Sequence, residues 1–370
     1  MLRISNLIKS SIENTKERSL DGSIAIWNMT NRCNLSCMHC YSKAELQGSD
    51  ALSLEDITNA LNGLAKGGVR FLIISGGEPL ARDDIFDIAN ICKKLGIITS
   101  LSTNGLYIHT HNIEKIVATF DYIGISIDGR ENAHDNFRQL KGSFKLSLSA
   151  LKLLLKHTDR VGIRFTITNE TLPDLGYIFE LAEELKIPKI YISHLVYSGR
   201  GYDNLKMDVS PKQRCEAVEY ILDKAFEYYD NSTGIDIVTG NMEMDGVALA
   251  KRFLSDRREH YDNLIIRLKQ WGGNSAGKKL VNIDSNGNVK PDPFSHITLG
   301  NIKERSFNEI WNDDSDILNF LRAKPRELGG KCGNCNYLDM CNGGSRARAW
   351  AISGDIRAQD PSCYIEEILK

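Results

Sequence analysis

The sequence predicts an α/β protein: a partial (β/α)6 TIM-like barrel followed by a C-terminal extension of a β-hairpin, a helix and a cysteine-bearing loop. Three observations carry that expectation. Short β-type runs alternate with helical patterns from residue 24 to about 195; the rhythm changes near residue 200; and seven of the nine cysteines fall in two groups, at 33–40 and 332–363. Strands with few polar interruptions, joined by segments long enough for a crossover helix, describe a parallel sheet. Six units fall short of the eight in a closed barrel, so the sheet is expected to stay open.

Residues 1–23 form an N-terminal segment that is polar by its tenth residue and so lacks the apolar run of a secretory signal. Strands are expected at 24–29, 70–75, 97–102, 122–127, 161–168 and 189–195, and helical spacing shows in LEDITNALNGLAKGG, DIFDIANICKKLG, SLSALKLLLKH and LGYIFELAEELK. Together they define a core over 24–210. A helical connector follows over 211–270, with helices at 211–230 and near 246–270 around a short IDIVTGNMEMDG segment. In the extension, 271–370, KKLVNIDSNGNVKPD reads as a hairpin whose Asn286-Gly287 suits a tight primed turn. SFNEIWNDDSDILNFLRA reads as a helix opened by a serine cap.

Composition narrows the function. The 370 residues are 42% hydrophobic and 25% charged, as in a soluble globular chain. Lys+Arg 46 against Asp+Glu 48 leaves a net charge of −2, which excludes a generally basic surface and speaks against nucleic acid as a partner. No apolar run approaches the roughly 18 residues that cross a bilayer, so no membrane is expected and the cytoplasm is the expected location. Nine cysteines cannot all pair, and a cytoplasmic chain of this size needs no disulfides, which leaves metal or redox chemistry.

Cys33, Cys37 and Cys40 form C-x3-C-x2-C directly after the first strand. Ligands of parallel sheets bind beyond the carboxyl ends of the strands, so the place suits a site. Three thiolates match three corners of a [4Fe–4S] cube and leave one iron open. Structural zinc, with His39 nearby, is the alternative. Cys332, Cys335 and Cys341, with Cys363 beyond, supply four thiolates, which suit a fully ligated [4Fe–4S] cluster and structural zinc about equally. Cys92 and Cys215 read as small hydrophobic helix residues.

The first spacing resembles the signature of the radical S-adenosylmethionine (SAM) superfamily, and segments at successive strand ends agree with it. Gly76-Gly77-Glu78-Pro79 is similar to the family's GGEP motif, which binds the SAM amino group. Ser102-Thr103-Asn104-Gly105 is similar to its ribose-contacting segment, and Ser126-Ile127-Asp128-Gly129 to its polar SAM contacts. The resemblance puts His39 beside the adenine and makes Arg164 a partner for the SAM carboxylate. It implies reductive cleavage of SAM to a 5′-deoxyadenosyl radical that abstracts a substrate hydrogen, with the cofactor carrying the hard step. A reducing partner such as ferredoxin or flavodoxin is implied with it.

The late cysteines are similar to the SPASM or twitch-like extension of such enzymes, which decides for iron–sulfur over zinc. A full extension of that kind carries two auxiliary clusters. Here Asp292 and Ser345 stand where cysteines of the nearer one are found, so the resemblance implies one auxiliary cluster and two [4Fe–4S] clusters in total.

YISHLVYSGRG, VTGNMEMDGV and CNGGSRARAWAISGDIRAQDPSCY look like the tetrapyrrole-modifying members of the superfamily. That implies an iron tetrapyrrole substrate, 12,18-didecarboxysiroheme, losing acetate side chains to give Fe-coproporphyrin III in heme biosynthesis. The alternative is loss of propionate side chains from the same precursor, on the heme d1 route. A peptide-modifying SPASM maturase is a further alternative, disfavoured because only 23 residues precede the first strand, where such enzymes commonly carry a recognition domain. A non-catalytic iron–sulfur electron-transfer protein is disfavoured by GGEP and STNG, since a carrier needs no SAM pocket. A flat polycarboxylate macrocycle asks for an apolar pocket with basic anchors. His194, Tyr197 and Arg200 are the substrate-side candidates; Lys290, His296, Arg346 and Arg348 lie in segments able to line a pocket, or are solvated surface charges. Arg346 and Arg348, two apart, are not expected to share a helical face.

Overall fold

The computed structural model describes residues 1–15 and 22–369; residues 16–21 of the expected N-terminal segment lie outside the described residues. The strands are β1 (Ser23–Asn28), β2 (Val69–Ser75), β3 (Ile98–Thr103), β4 (Tyr122–Ser126), β5 (Val161–Ile167), β6 (Lys189–His194), β7 (Asp236–Gly240), β8 (Leu280–Ile283), β9 (Asn288–Lys290) and β10 (Gly300–Asn301). They form one sheet in the order β10-β9-β8-β1-β2-β3-β4-β5-β6-β7. Neighbours from β1 to β7 are all parallel, and β7 does not return to β1, so the barrel is open. Period-2 burial sets the two faces: in β3 Thr99, Leu101 and Thr103 are buried, while Ser100 and Ser102 on the opposite face stay half-buried.

The crossover helices are cut as the sequence dictates. Leu54–Lys66 starts in a capping box, Ser53 accepting from Asp56 N while the Asp56 carboxylate accepts from Ser53 N. It buries Ile57, Ala60, Leu61 and Leu64, an i, i+3, i+4, i+7 stripe, against the sheet. Pro211–Asp230 opens in the same way, with Ser210 and Gln213 as the box and proline as the first helical residue.

Four expectations are corrected. The stretch expected as a helical connector also holds β7, a strand that extends the parallel sheet beyond β6. Its second helix is two, Asp245–Asp256 and Tyr261–Trp271. Asp284 N donates to Asn288 O at 3.0 Å, so the hairpin between β8 and β9 turns on Ser285, Asn286 and Gly287; the Asp284 carboxylate gathers the Asn286 and Asn288 N–H groups and only Gly287 takes a positive φ (88°), so Asn286-Gly287 is not a primed pair. The late helix also divides, into Phe307–Trp311 and Asp316–Arg322, since Ser315 caps a second start.

Both edges of the β1–β7 run have partners. β8 lies parallel to β1, so the hairpin of the extension continues the barrel sheet. At the far edge Leu2 pairs with Thr239 through two backbone hydrogen bonds, and Ser5 Oγ accepts from Ile237 N. The helix Ile4–Ile12 then packs on Pro211–Asp230 and Tyr261–Trp271.

Candidate active site

The chain leaving β1 folds back over the end of β2. Gly77 N and Glu78 N donate to the Thr30 and Arg32 carbonyls at 2.8 Å, and Cys33 N to Glu45 O at 2.9 Å. Gly76 has φ +126°, and a Cβ on it would lie 2.7 Å from Thr30 O; one on Gly77 would run into the Arg32 carbonyl. The glycine pair is there because the cysteine loop lies on its backbone. Arg200 fastens the loop from the other side, with Nε on Cys37 O (2.8 Å) and Nη1 on Ala44 O (3.0 Å).

Cys33, Cys37 and Cys40 pack in one group with Leu35 and Leu106. Burial pushes the Cys33 thiol up to about 12 and raises Cys37 as well, so neither is a thiolate at neutral pH unless a cation binds it. Such a cationic neighbour already stands by Cys37: Arg138 Nη1 is 3.7 Å from its Sγ. Arg138 is paired with Asp128, which is fully buried. Burial opposes ionisation of Asp128, but Arg138 together with His39, His134 and the Thr166 N–H outweighs it and holds the carboxyl below its usual range. His39 stacks flat on Phe137, centroids 4.2 Å apart, and burial pushes it down to about 3, leaving a neutral ring.

The other SAM-side candidates gather at the strand ends. Glu78 is buried and accepts from Thr103 Oγ1 (2.7 Å), Asn104 N (2.9 Å) and Leu80 N (3.1 Å); burial lifts it to about 6. Asn104 Nδ2 reaches Asn34 beside Cys33 at 2.7 Å. Ser102 and Ser126 are half-buried at the ends of β3 and β4. Arg164, paired in register with Ser126, lies over the Tyr191 ring at 4.6 Å, and Gly124 leaves the space that its side chain crosses.

In the extension, Cys332, Cys335, Cys341 and Cys363 line one pocket together with Met242, Met244 and Asp360. Burial raises the Cys332 and Cys341 thiols and pushes Cys363 up to about 11. Among the described residues no three His, Cys, Asp or Glu groups are placed to hold a single metal ion. Asp292 is buried, accepting from Phe294 N, and burial lifts it to about 6; Ser345 caps the helix Arg346–Ser353.

The three substrate-side candidates are used otherwise. His194 is enclosed between Asp245 and Arg214, Tyr197 donates to Asp208 at 2.5 Å, and Arg200 holds the cysteine loop. Arg346 and Arg348 both turn inward, contrary to expectation. Because the helix is short and its loop folds back, Arg346 finds the Ile356 and Ala358 carbonyls, while Arg348 finds Asp360 and Leu195 O. Lys290 pairs with Asp284. Only His296 keeps an exposed place, lining a second pocket of about 270 Å³ with Trp350, Asp292 and Arg346. Sequence reasoning missed Phe137, Arg138 and Tyr191; an arginine ending the helix that follows the fourth strand was the one available signal for Arg138.

A three-thiol loop over the ends of parallel strands, with a glycine-paired turn beneath it, defines a class. Residues 27–182 match the Radical SAM superfamily and residues 275–336 the SPASM iron-sulfur cluster-binding domain, and the chain belongs to the radical SAM superfamily and is an enzyme of it. Over 99% of its length it is 35% identical to the pre-heme d1 synthase of Dinoroseobacter shibae, covering 92% of that protein. Over 93% it is 36% identical to the Fe-coproporphyrin III synthase of Methanosarcina barkeri, covering 89%. In fold it is similar to Streptococcus suis SuiB bound to S-adenosylmethionine, with TM-score 0.72 and 19% identity over 97% of this chain and 80% of that one. Its cofactors are SAM and [4Fe–4S] clusters, and the donor sets fit: three thiols grouped in the loop after β1, with a guanidinium beside Cys37, and four around a pocket. No helix among the described residues is long and apolar enough to cross a membrane.

Proposed function

We propose that the enzyme removes acetate side chains from 12,18-didecarboxysiroheme to give Fe-coproporphyrin III. The observation that carries this reading is the 36% identity to an Fe-coproporphyrin III synthase, which runs through barrel and extension alike. The likeness to a pre-heme d1 synthase supports the second reading, removal of propionates from the same precursor, nearly as well. Cys33, Cys37 and Cys40 hold the SAM-binding cluster; Cys332, Cys335, Cys341 and Cys363 hold one auxiliary [4Fe–4S] cluster. When bound, the first cluster and SAM supply a 5′-deoxyadenosyl radical.

The chain's own part is to orient and to exclude water. Arg138 compensates charge at Cys37, Phe137 and His39 give a flat wall for the adenine, and Arg164 with Ser126 offers donors to a carboxylate. Gly76, Gly77, Glu78, Ser102, Asn104 and Asp128 complete the cofactor side. Electrons come from a small reductant such as ferredoxin or flavodoxin, and the enzyme works in the cytoplasm. The test is anaerobic turnover of 12,18-didecarboxysiroheme with SAM and dithionite, followed by mass analysis. Loss of two acetates is expected; loss of propionates favours the second reading, and an unchanged substrate overturns both.

A further inference from the structure

We propose that two hydrogen-bonded arms from the barrel hold Cys363 in place as the fourth ligand of the auxiliary cluster, with Ser362, Tyr364, Asp208, Asp245 and Arg214 as positioning residues. The inference rests on the reading of the four late cysteines as cluster ligands.

Three of those cysteines are set by local turns. Cys335 N donates to Cys332 O (3.2 Å), Leu338 N to Cys335 O (3.1 Å) and Cys341 N to Tyr337 O (3.0 Å). Cys363 also makes a local turn bond, its N donating to Asp360 O at 3.1 Å, but it comes much later in the chain, and bringing that turn to the other three takes long-range bonds, which both of its neighbours make. Ser362 Oγ donates to Asp208 Oδ2 at 3.2 Å and meets the Tyr197 hydroxyl at 2.9 Å. Tyr364 donates its hydroxyl to Asp245 Oδ1 at 2.8 Å, and Asp245 Oδ2 is 3.1 Å from His194 Nε2 at the end of β6. Arg214 joins the arms, with Nη1 3.1 Å from His194 Nδ1 and Nη2 2.8 Å from each Asp208 oxygen.

The position and burial of these groups decide their role. His194, Arg214, Asp245, Ser362 and Tyr364 are all 3% exposed or less, so each bond acts at low dielectric and is costly to leave unmade. The two arms reach the chain one residue before and one residue after the ligand. An ordinary core network would stabilise the fold; this one also fixes where a sulfur sits. Outer partners of metal ligands typically change metal affinity about 10–100-fold when lost.

The experiment compares reconstituted wild type, Cys363→Ala, Tyr364→Phe and the Ser362→Ala/Tyr364→Phe double variant. Iron release to a chelator is followed together with electron paramagnetic resonance. The wild type is expected to hold about eight irons per chain. The double variant should lose one iron, as Fe2+, about 10-fold faster than the wild type and, after one-electron oxidation with ferricyanide, show the [3Fe–4S]+ signal that Cys363→Ala shows. The SAM-induced change at the barrel cluster should persist in it. A double variant with wild-type iron retention and no such signal, whatever its melting temperature, overturns the proposal. Should it not fold, Tyr364→Phe, which removes one hydroxyl, must shift the same way, and wild-type behaviour there overturns it too. An unchanged cluster in Cys363→Ala would overturn the ligand reading itself, and this inference with it.

Discussion

Arg138 illustrates how much at this site depends on a single side chain. Its guanidinium serves Asp128 and Cys37 at once, and both partners are buried. Arg138→Met should therefore destabilise by about 3–5 kcal/mol, since it strands a buried carboxylate. Adding Asp128→Asn should return most of the loss; anaerobic denaturant titration reads both, and strictly additive losses would show the pair uncoupled. Asp292 works in the opposite sense. Burial pushes its carboxyl up to about 6, above the ordinary aspartate value of about 3.9, so stability falls as pH rises between those values and stays lower above them. Asp292→Asn should thus raise the melting temperature more at pH 8 than at pH 4, by a free energy on the order of 1–3 kcal/mol. The grouping of the cysteines into three and four was legible from spacing, and the fold brings each set together; what each set binds was not, because the same thiols also suit zinc. The roles of His194 and Arg346 were not, because a lone polar residue in a sequence carries no sign of which carboxylate or carbonyl the fold will bring to it.

At the level of elements, strands and helices were legible wherever local preference and burial agree, as in Leu54–Lys66 and Pro211–Asp230, whose starts the Ser53 and Ser210 boxes fix. β7 was missed because Asp236, Thr239 and Gly240 dilute its apolar pattern, and only pairing with β6 and cover from Leu2 make it a strand. The hairpin turn was misread because Asp284, two residues before Asn286, supplies the acceptor that sets its geometry. The turn after β2 offers the sharpest test. Gly77→Ala drives a methyl into the Arg32 carbonyl, a backbone atom that cannot step aside cheaply. The cysteine loop should lift, and iron after reconstitution should fall to about four per chain, with the auxiliary cluster's spectrum unchanged. A full complement of iron would mean that the loop tolerates the shift.

Taken whole, the described residues share one sheet but draw on two sources of order. The barrel rests on a large apolar core, whereas the loop around Cys332–Cys341 has small helical pieces and a pocket lined by thiols. Chelating the iron should leave the barrel resistant to limited proteolysis and open cleavage between about residues 325 and 363, read by mass spectrometry. Equal protection with and without iron would show that the loop holds itself. The union of β8 with β1 has a practical consequence for anyone seeking a minimal catalytic fragment. A chain cut before residue 271 would strip the first barrel strand of its neighbour and present the backbone of Ile24–Trp27 as a raw edge. Unpaired edges of this kind recruit other chains, so such a fragment should aggregate rather than fold as a free-standing barrel.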